Sequence, residues 1–182
     1  MFEQFKAKAE GVSAEVHRFS TAAEALAFLV GFLQGEGVAD LAGQYGVFAA
    51  CPFLNQVDRT SLAAIPGLSF EVTRERAAAA KVGISQVDWA LADTGTLAQD
   101  ATAIDKRLVS TLPSIHVALV ETSGLRPDMR ALLADIRPEQ AAYLAMITGP
   151  SRTADIERVL TIGAHGPERL VIVFIDRMGG SN

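Results

Sequence analysis

The run Thr148-Gly149-Pro150-Ser151-Arg152-Thr153-Ala154-Asp155-Ile156-Glu157 brings hydroxyls, a glycine and a guanidinium together within a few residues. The apolar stretch 143–147 before it reads as a buried strand. Ile156, Val159 and Leu160 after it share one face at helical spacing. A strand that empties through a Gly/Ser/Thr loop into a helix leaves backbone N–H groups unpaired at the positive end of the helix dipole, which suits an anion. Thr148, Gly149 and Ser151 are then donors, and Arg152 can take a carboxylate through two hydrogen bonds. The same residues can equally form a tight loop, with Ser151 or Thr153 as helix cap and Arg152 paired to Asp155 or Glu157. Further on, Gly163-Ala164-His165-Gly166-Pro167 closes the helix. His165 in that turn can move a proton near neutral pH, or it can brace a neighbouring loop.

A second run of the same character lies upstream: Gly83-Ile84-Ser85, then Ala90-Leu91-Ala92-Asp93-Thr94-Gly95-Thr96-Leu97. The Thr94 and Thr96 hydroxyls and the Gly95 N–H can donate to a carboxylate or phosphate. Asp93 can accept from a substrate hydroxyl or act as a base. Read without a ligand, the same four residues are an ordinary strand-ending turn in which Gly95 supplies a positive φ. Outside these runs the signals are weaker. His116, between Ile115 and Val117, reads as a satisfied core or strand-edge residue, His17 as part of an amino-terminal strand, and Lys81 as a solvated helix end. The three histidines share no metal-ligand spacing, so no metal is expected. Walker A, G-x-G-x-x-G, G-x-S-x-G and HExxH motifs are absent, so nothing supports a nicotinamide or ordinary flavin site.

Taken together, the T-G-P-S-R-T-A-D-I-E run, the G-x-H-G-P turn and the A-L-A-D-T-G-T-L run resemble the lactate-utilization (LUD) domain family, most closely its stand-alone C-type subunit. The resemblance runs from about Arg74 to the end and is weak over residues 1–70. At one position the chain departs from the pattern: Asp93 stands where the family has Glu, keeping the carboxylate with one methylene less reach. The resemblance implies a NagB/RpiA/CoA-transferase-like fold and a role in an iron–sulfur system that oxidises L-lactate to pyruvate. It implies that the clusters sit on partner subunits. It implies that this chain binds a small carboxylate or phosphate ligand, or organises the complex, through Asp93, Thr94, Gly95, Thr96, Thr148, Gly149, Ser151, Arg152 and His165, with Asp93 and His165 the catalytic candidates.

Composition agrees with parts of this. The sequence has one cysteine, Cys51, so one copy of the chain cannot ligate a cluster through thiolates, and Cys51 reads as a small buried hydrophobe. The net charge of −5 argues against nucleic acid as the main partner. No stretch has the length of a membrane span, and the charged start, Met1 to Lys6, lacks the apolar run of a signal peptide, so a cytoplasmic place is expected. The 182 residues read as one domain.

The elements that must position the two runs alternate in type. Strands are expected at 12–19, 45–50, 87–92, 115–120, 143–147 and 170–175. A helix opens at Thr21 with Glu24 as its capping box, presents Leu26, Leu29, Val30 and Leu33, and ends at Gly35. An alanine-rich helix is expected at 74–81. Another starts at Pro127, with Met129, Leu132, Leu133 and Ile136 on one face, and stops at Pro138. The stretch 52–69 reads as a connection with one extra strand. This alternation predicts an open, mostly parallel α/β sheet with helices on both faces and ligands beyond the carboxyl ends of its strands. Two other functions fit such a sheet. One is an independent enzyme of the same superfold, such as a CoA transferase, sugar-phosphate isomerase or folate cyclo-ligase. The other is a non-catalytic interaction module.

Overall fold

Strand β7 (Ile115–Glu121) shows how the chain divides its apolar residues between two faces. Ile115, Val117 and Leu119 join one buried cluster, while Ala118 and Val120 join another. Strand β12 (Arg169–Arg177) does the same: Val171, Val173 and Ile175 face one way, Leu170, Ile172 and Phe174 the other. A strand apolar on both faces has to be covered on both, which is the condition for a central parallel strand. In a computed structural model, the described residues are 1–136, 142–154, 160–162 and 165–178. There β7 and β12 are neighbouring interior strands of a six-stranded sheet in which every pairing is parallel. Across the sheet the order is β1 (Glu15–Thr21), β12, β7, β4 (Ala80–Gln86), β2 (Tyr45–Phe48), β3 (Leu68–Ser69).

Helix α2 (Ala22–Gly35) covers one face through Ala25, Leu29 and Leu33. Its start is capped as the sequence predicts: the Thr21 hydroxyl accepts from the Glu24 N–H at 3.2 Å, and the Glu24 carboxylate accepts from the Ser20 N–H at 2.8 Å. The other face is covered by α1 (Phe2–Gly11), by α6 (Ile104–Thr111) and by a second sheet. That sheet has the order β8 (Leu125–Arg126), β5 (Trp89–Leu91), β6 (Thr96–Asp100), β9 (Leu144–Ile147), with β5–β6 and β6–β9 antiparallel. Its outer face is packed by α7 (Met129–Asp135), whose Leu132 meets Leu91 and Ala98. Between α2 and β4 run two short helices, α3 (Phe53–Gln56) and α4 (Thr60–Ala63), then β3 and α5 (Arg74–Ala78).

Four expectations need correction. The helix read over 74–81 stops at Ala78, and Ala80 already belongs to β4. The close approach of α6 requires a small residue in this strand: a side chain at Gly83 would sit 2.2 Å from the Val109 carbonyl oxygen. The stretch 143–147 is no buried strand. As β9 it edges the antiparallel sheet, and Met146 is 39% exposed. Of the stretch read as a helix after Arg152, residues 152–154 and 160–162 instead form an antiparallel pair, β10 (Arg152–Ala154) with β11 (Leu160–Ile162). The β-branched residues Thr153, Thr161 and Ile162 suit that pairing. Leu160 therefore begins a strand, while Asp155, Ile156, Glu157 and Val159 lie outside the described residues, as do Pro138, Gly163 and Ala164. Last, neither candidate loop ends a strand of the parallel sheet; both belong to the antiparallel one.

Candidate functional site

Both sequence runs close on the same place, the carboxyl end of α1. The turn between β5 and β6 holds Gly95 at φ +69, and a side chain there would lie 2.4 Å from the Ala9 backbone nitrogen. The loop after β9 holds Gly149 at φ +68, where a side chain would lie 2.6 Å from the Val12 carbonyl oxygen. Only glycine meets both conditions at once, a left-handed backbone and contact with another main chain. Arg152 adds to this contact. Its Nη2 donates to the Val12 carbonyl and, at 3.2 Å, to the Ser13 hydroxyl. Ser13 itself has φ 70, so the chain turns sharply where the guanidinium holds it. The two runs also touch directly. Leu97 pairs with Ile147, and the Thr96 and Thr148 hydroxyls lie 2.8 Å apart.

From there they diverge. Asp93 and Thr94 are exposed, and the Thr94 hydroxyl donates to the Asp93 carboxylate at 3.2 Å. The turn is held by Gly95 N–H donating to the Leu91 carbonyl and Asp93 N–H donating to the Pro127 carbonyl. The loop after β9 instead walls a cavity of about 330 Å³. Thr148, Gly149, Ser151, Arg152 and His165 line it, whereas Asp93, Thr94, Gly95 and Thr96 do not. The Ser151 N–H donates to the Pro167 carbonyl at 2.8 Å, which ties the loop to the His165 turn. The cavity opens at the amino-terminal edge of the parallel sheet. Leu170 and His116, from the first residues of β12 and β7, form part of its wall, beside Thr111 at the end of α6.

His116 is the residue that sequence reasoning placed in the core without a role. Its ring is 1% exposed and lies between the two sheets. Its Nε2 is 2.9 Å from the Ser85 hydroxyl, and the Gln99 side-chain amide donates to that hydroxyl at 3.1 Å and to the Gln86 carbonyl at 3.3 Å. Burial pushes the His116 imidazole down to about 4, so it is neutral at neutral pH. Among the described residues neither His116 Nδ1 nor Gln99 Oε1 has a hydrogen-bond partner. The sequence carries only a weak signal: Ser85 and His116 each stand between apolar neighbours, whereas Gln99 lies in a strand that also holds Thr96 and Asp100, and a polar group becomes the informative exception only once it is known to be buried.

The remaining candidates stand apart. His17 stacks on Phe28 with ring centroids 4.6 Å apart. Lys81 pairs with Glu36 at 3.1 Å. Cys51 is partly buried, and burial pushes its thiol up, away from the thiolate a metal or cluster requires. An iron–sulfur cluster draws on several thiolates, so this donor set does not fit one. A second cavity, of about 380 Å³, does lie at the carboxyl ends of β4 and β7, where open α/β sheets usually hold ligands. It is lined by Gln86, Asp88, Glu121 and Arg126 among others, and burial raises the Asp88 carboxyl above its usual range. Arg126 is already paired with Asp135 at 2.5 Å. This acidic crevice contains none of the residues of the two runs.

A model of the LUD domain matches residues 2–175, which takes in both sheets, α1 and every wall of the first cavity. The chain belongs to the LUD domain family. Relatives within that family carry the name lactate utilization protein C. That of an Exiguobacterium strain is 35% identical over 111 residues, 58% of this chain and 48% of the relative. That of Anoxybacillus flavithermus is 37% identical over 105 residues, 57% and 48%. That of Oceanobacillus iheyensis is 29% identical over 140 residues, 73% and 59%. The chain thus spans about half the length of the first curated relatives it matches. Among solved structures, a DUF162 family protein from Deinococcus radiodurans has the same fold, with a TM-score of 0.64 over 96% of this chain and 95% of that one at 17% identity. Among the described residues of this LUD chain, no helix is long and apolar enough to cross a membrane.

Proposed function

We propose that this LUD-family chain serves lactate utilization as a subunit without a redox centre, holding a small carboxylate of the lactate–pyruvate type in the cavity at the amino-terminal edge of its parallel sheet. The observation that carries the reading is the joining of two facts. The relatives named lactate utilization protein C match at 35–37% identity, and the T-G-P-S-R and G-x-H-G-P runs meet as two walls of one cavity. Thr148 and Ser151 supply hydroxyl donors, Arg152 a positive charge, and His165 a group able to carry a proton. Asp93, Thr94, Gly95 and Thr96 support the site from behind, through the Thr96–Thr148 contact and the seat on α1.

In this reading the clusters that take electrons from lactate sit on other subunits, since a single cysteine cannot ligate one. The chain alone is therefore colourless and reduces no dye with L-lactate. Co-expression with cluster-bearing subunits of a lactate-oxidising system tests the reading. Co-purification of a reddish-brown complex whose lactate-dependent dye reduction requires this chain is the expected result. A complex equally active without the chain, or turnover by the pure chain alone, would reject it.

A further inference from the structure

We infer that His116 is the inner hydrogen-bond donor of the cavity, with its ring tautomer set by Ser85 and Gln99, and that it selects a monocarboxylate over a phosphate. The inference rests on the ligand reading above and adds a residue and a charge rule to it.

The tautomer follows from counting donors. The Gln99 amide nitrogen donates to Ser85 Oγ at 3.1 Å. The Ser85 hydroxyl has one proton of its own, and the polar atom facing it at 2.9 Å is His116 Nε2. When that proton goes to Nε2, the nitrogen acts as acceptor and the ring proton of the neutral imidazole sits on Nδ1. This arrangement uses both Ser85 bonds. It leaves a directed chain, Gln99 to Ser85 to His116, that ends in an Nδ1–H. That group is buried and has no partner among the described residues. An unpaired buried donor is costly, and a structure that retains one beside a cavity is poised for an acceptor from outside. His116 belongs to the wall of that cavity.

The charge rule comes from the same wall. Among the described lining residues there is no Asp or Glu, Arg152 is the side chain with a permanent charge, and His116 is neutral. One guanidinium balances one carboxylate. A phosphate dianion would bring a second negative charge that Arg152 does not balance, against a neutral His116 ring and apolar neighbours such as Ile147 and Leu170, with His165 the other ionisable side chain among the described lining residues. The acceptor offered to His116 is thus a carboxylate or keto oxygen of a small acid.

The experiment uses the full chain with ¹⁵N-labelled histidine, and pyruvate, L-lactate and inorganic phosphate as probes. The His116 ring should show a protonated Nδ1 and an unprotonated Nε2 at neutral pH, and pyruvate or L-lactate should move the Nδ1 resonance. Inorganic phosphate should bind at least about tenfold more weakly. His116→Asn keeps an amide donor near the Nδ1 position and should hold pyruvate within about threefold of the wild type. His116→Gln places its amide near Nε2 and should lose about tenfold or more, the loss of one buried hydrogen bond. Ser85→Ala should mix the two tautomers in the spectrum. A His116 ring with its proton on Nε2, or ring resonances that stay put at saturating pyruvate, would overturn the inference even if both variants failed to fold. So would phosphate binding as tightly as pyruvate, or no binding of either acid. A chain that passes these tests yet forms no complex with cluster-bearing subunits would sink the lactate-utilization reading while leaving this one standing. One that forms the active complex but fails them would do the reverse.

Discussion

The turn at Asp93–Thr96 and the loop at Thr148–Arg152 look alike in sequence, each a glycine among hydroxyls after an apolar stretch, yet the fold gives them different work. The first presses Gly95 against α1 and turns Asp93 and Thr94 to solvent. The second presses Gly149 against the same segment but turns Thr148, Ser151 and Arg152 toward a cavity. The difference lies in what stands opposite. Behind the first turn are the Pro127 carbonyl and α1; across from the second are His116, the His165 turn and the open edge of the parallel sheet. A ligand-like composition identifies a loop whose backbone must bend tightly. Whether that loop meets a ligand depends on the space the neighbouring elements leave.

Substitutions in the two loops differ in their expected cost. Gly95→Ala forces a β-carbon onto main chain in a left-handed conformation. Strain of up to about 2 kcal/mol adds to overpacking of up to about 3 kcal/mol, so a loss of about 3–5 kcal/mol is expected in denaturant melts. A variant as stable as the wild type would show that the turn does not bear on α1.

A pH effect of somewhat smaller size belongs to the cavity side. His116 is held near 4 when folded, against an ordinary 6.5, so the unfolded chain binds the extra proton first as pH falls. Its share of stability is complete above about pH 6.5 and drains away as pH falls toward 4, on the order of 3 kcal/mol in all. Denaturant melts between pH 7 and 4, compared with those of His116→Asn, should show a steeper decline for the wild type. Parallel curves would mean that the ring is not buried neutral.

Arg152→Ala, which removes the bonds to Val12 and Ser13, should cost about 1 kcal/mol of stability, visible as a small drop in midpoint. Asp93→Asn should change stability by less than about 0.5 kcal/mol, since the side chain is exposed and its contact is with the adjacent Thr94.

Much of the architecture was readable from the sequence. The capping box at Thr21 and the strands at 115–120 and 170–175 stand where local patterns put them, and the helix read from Pro127 begins at Met129, capped by Asp128. What was hidden depends on distant contacts. Ala80 and Lys81 read as the end of an alanine-rich helix, yet they open β4, whose Gly83 leaves room for the Val109 backbone of α6 far downstream. The segment after Arg152 has helical spacing in Ile156, Val159 and Leu160, yet residues 152–154 and 160–162 pair as strands. Of the site, the runs were visible because glycines and hydroxyls mark bends. The Ser85–His116–Gln99 chain was not, because polar residues on three separate strands come together only when two sheets stack.

On the proposed reading the cavity wall, and not the Asp93 turn, meets the ligand. Calorimetric titration of pyruvate into the wild type, Ser151→Ala, Arg152→Ala and Thr94→Ala tests it most directly. Loss of a charge-assisted bond of about 1.5–3 kcal/mol should weaken Arg152→Ala by roughly 10- to 150-fold. Ser151→Ala should weaken by a smaller factor and Thr94→Ala should bind as the wild type does. Full affinity in both wall variants, or a loss confined to Thr94→Ala, would contradict the account.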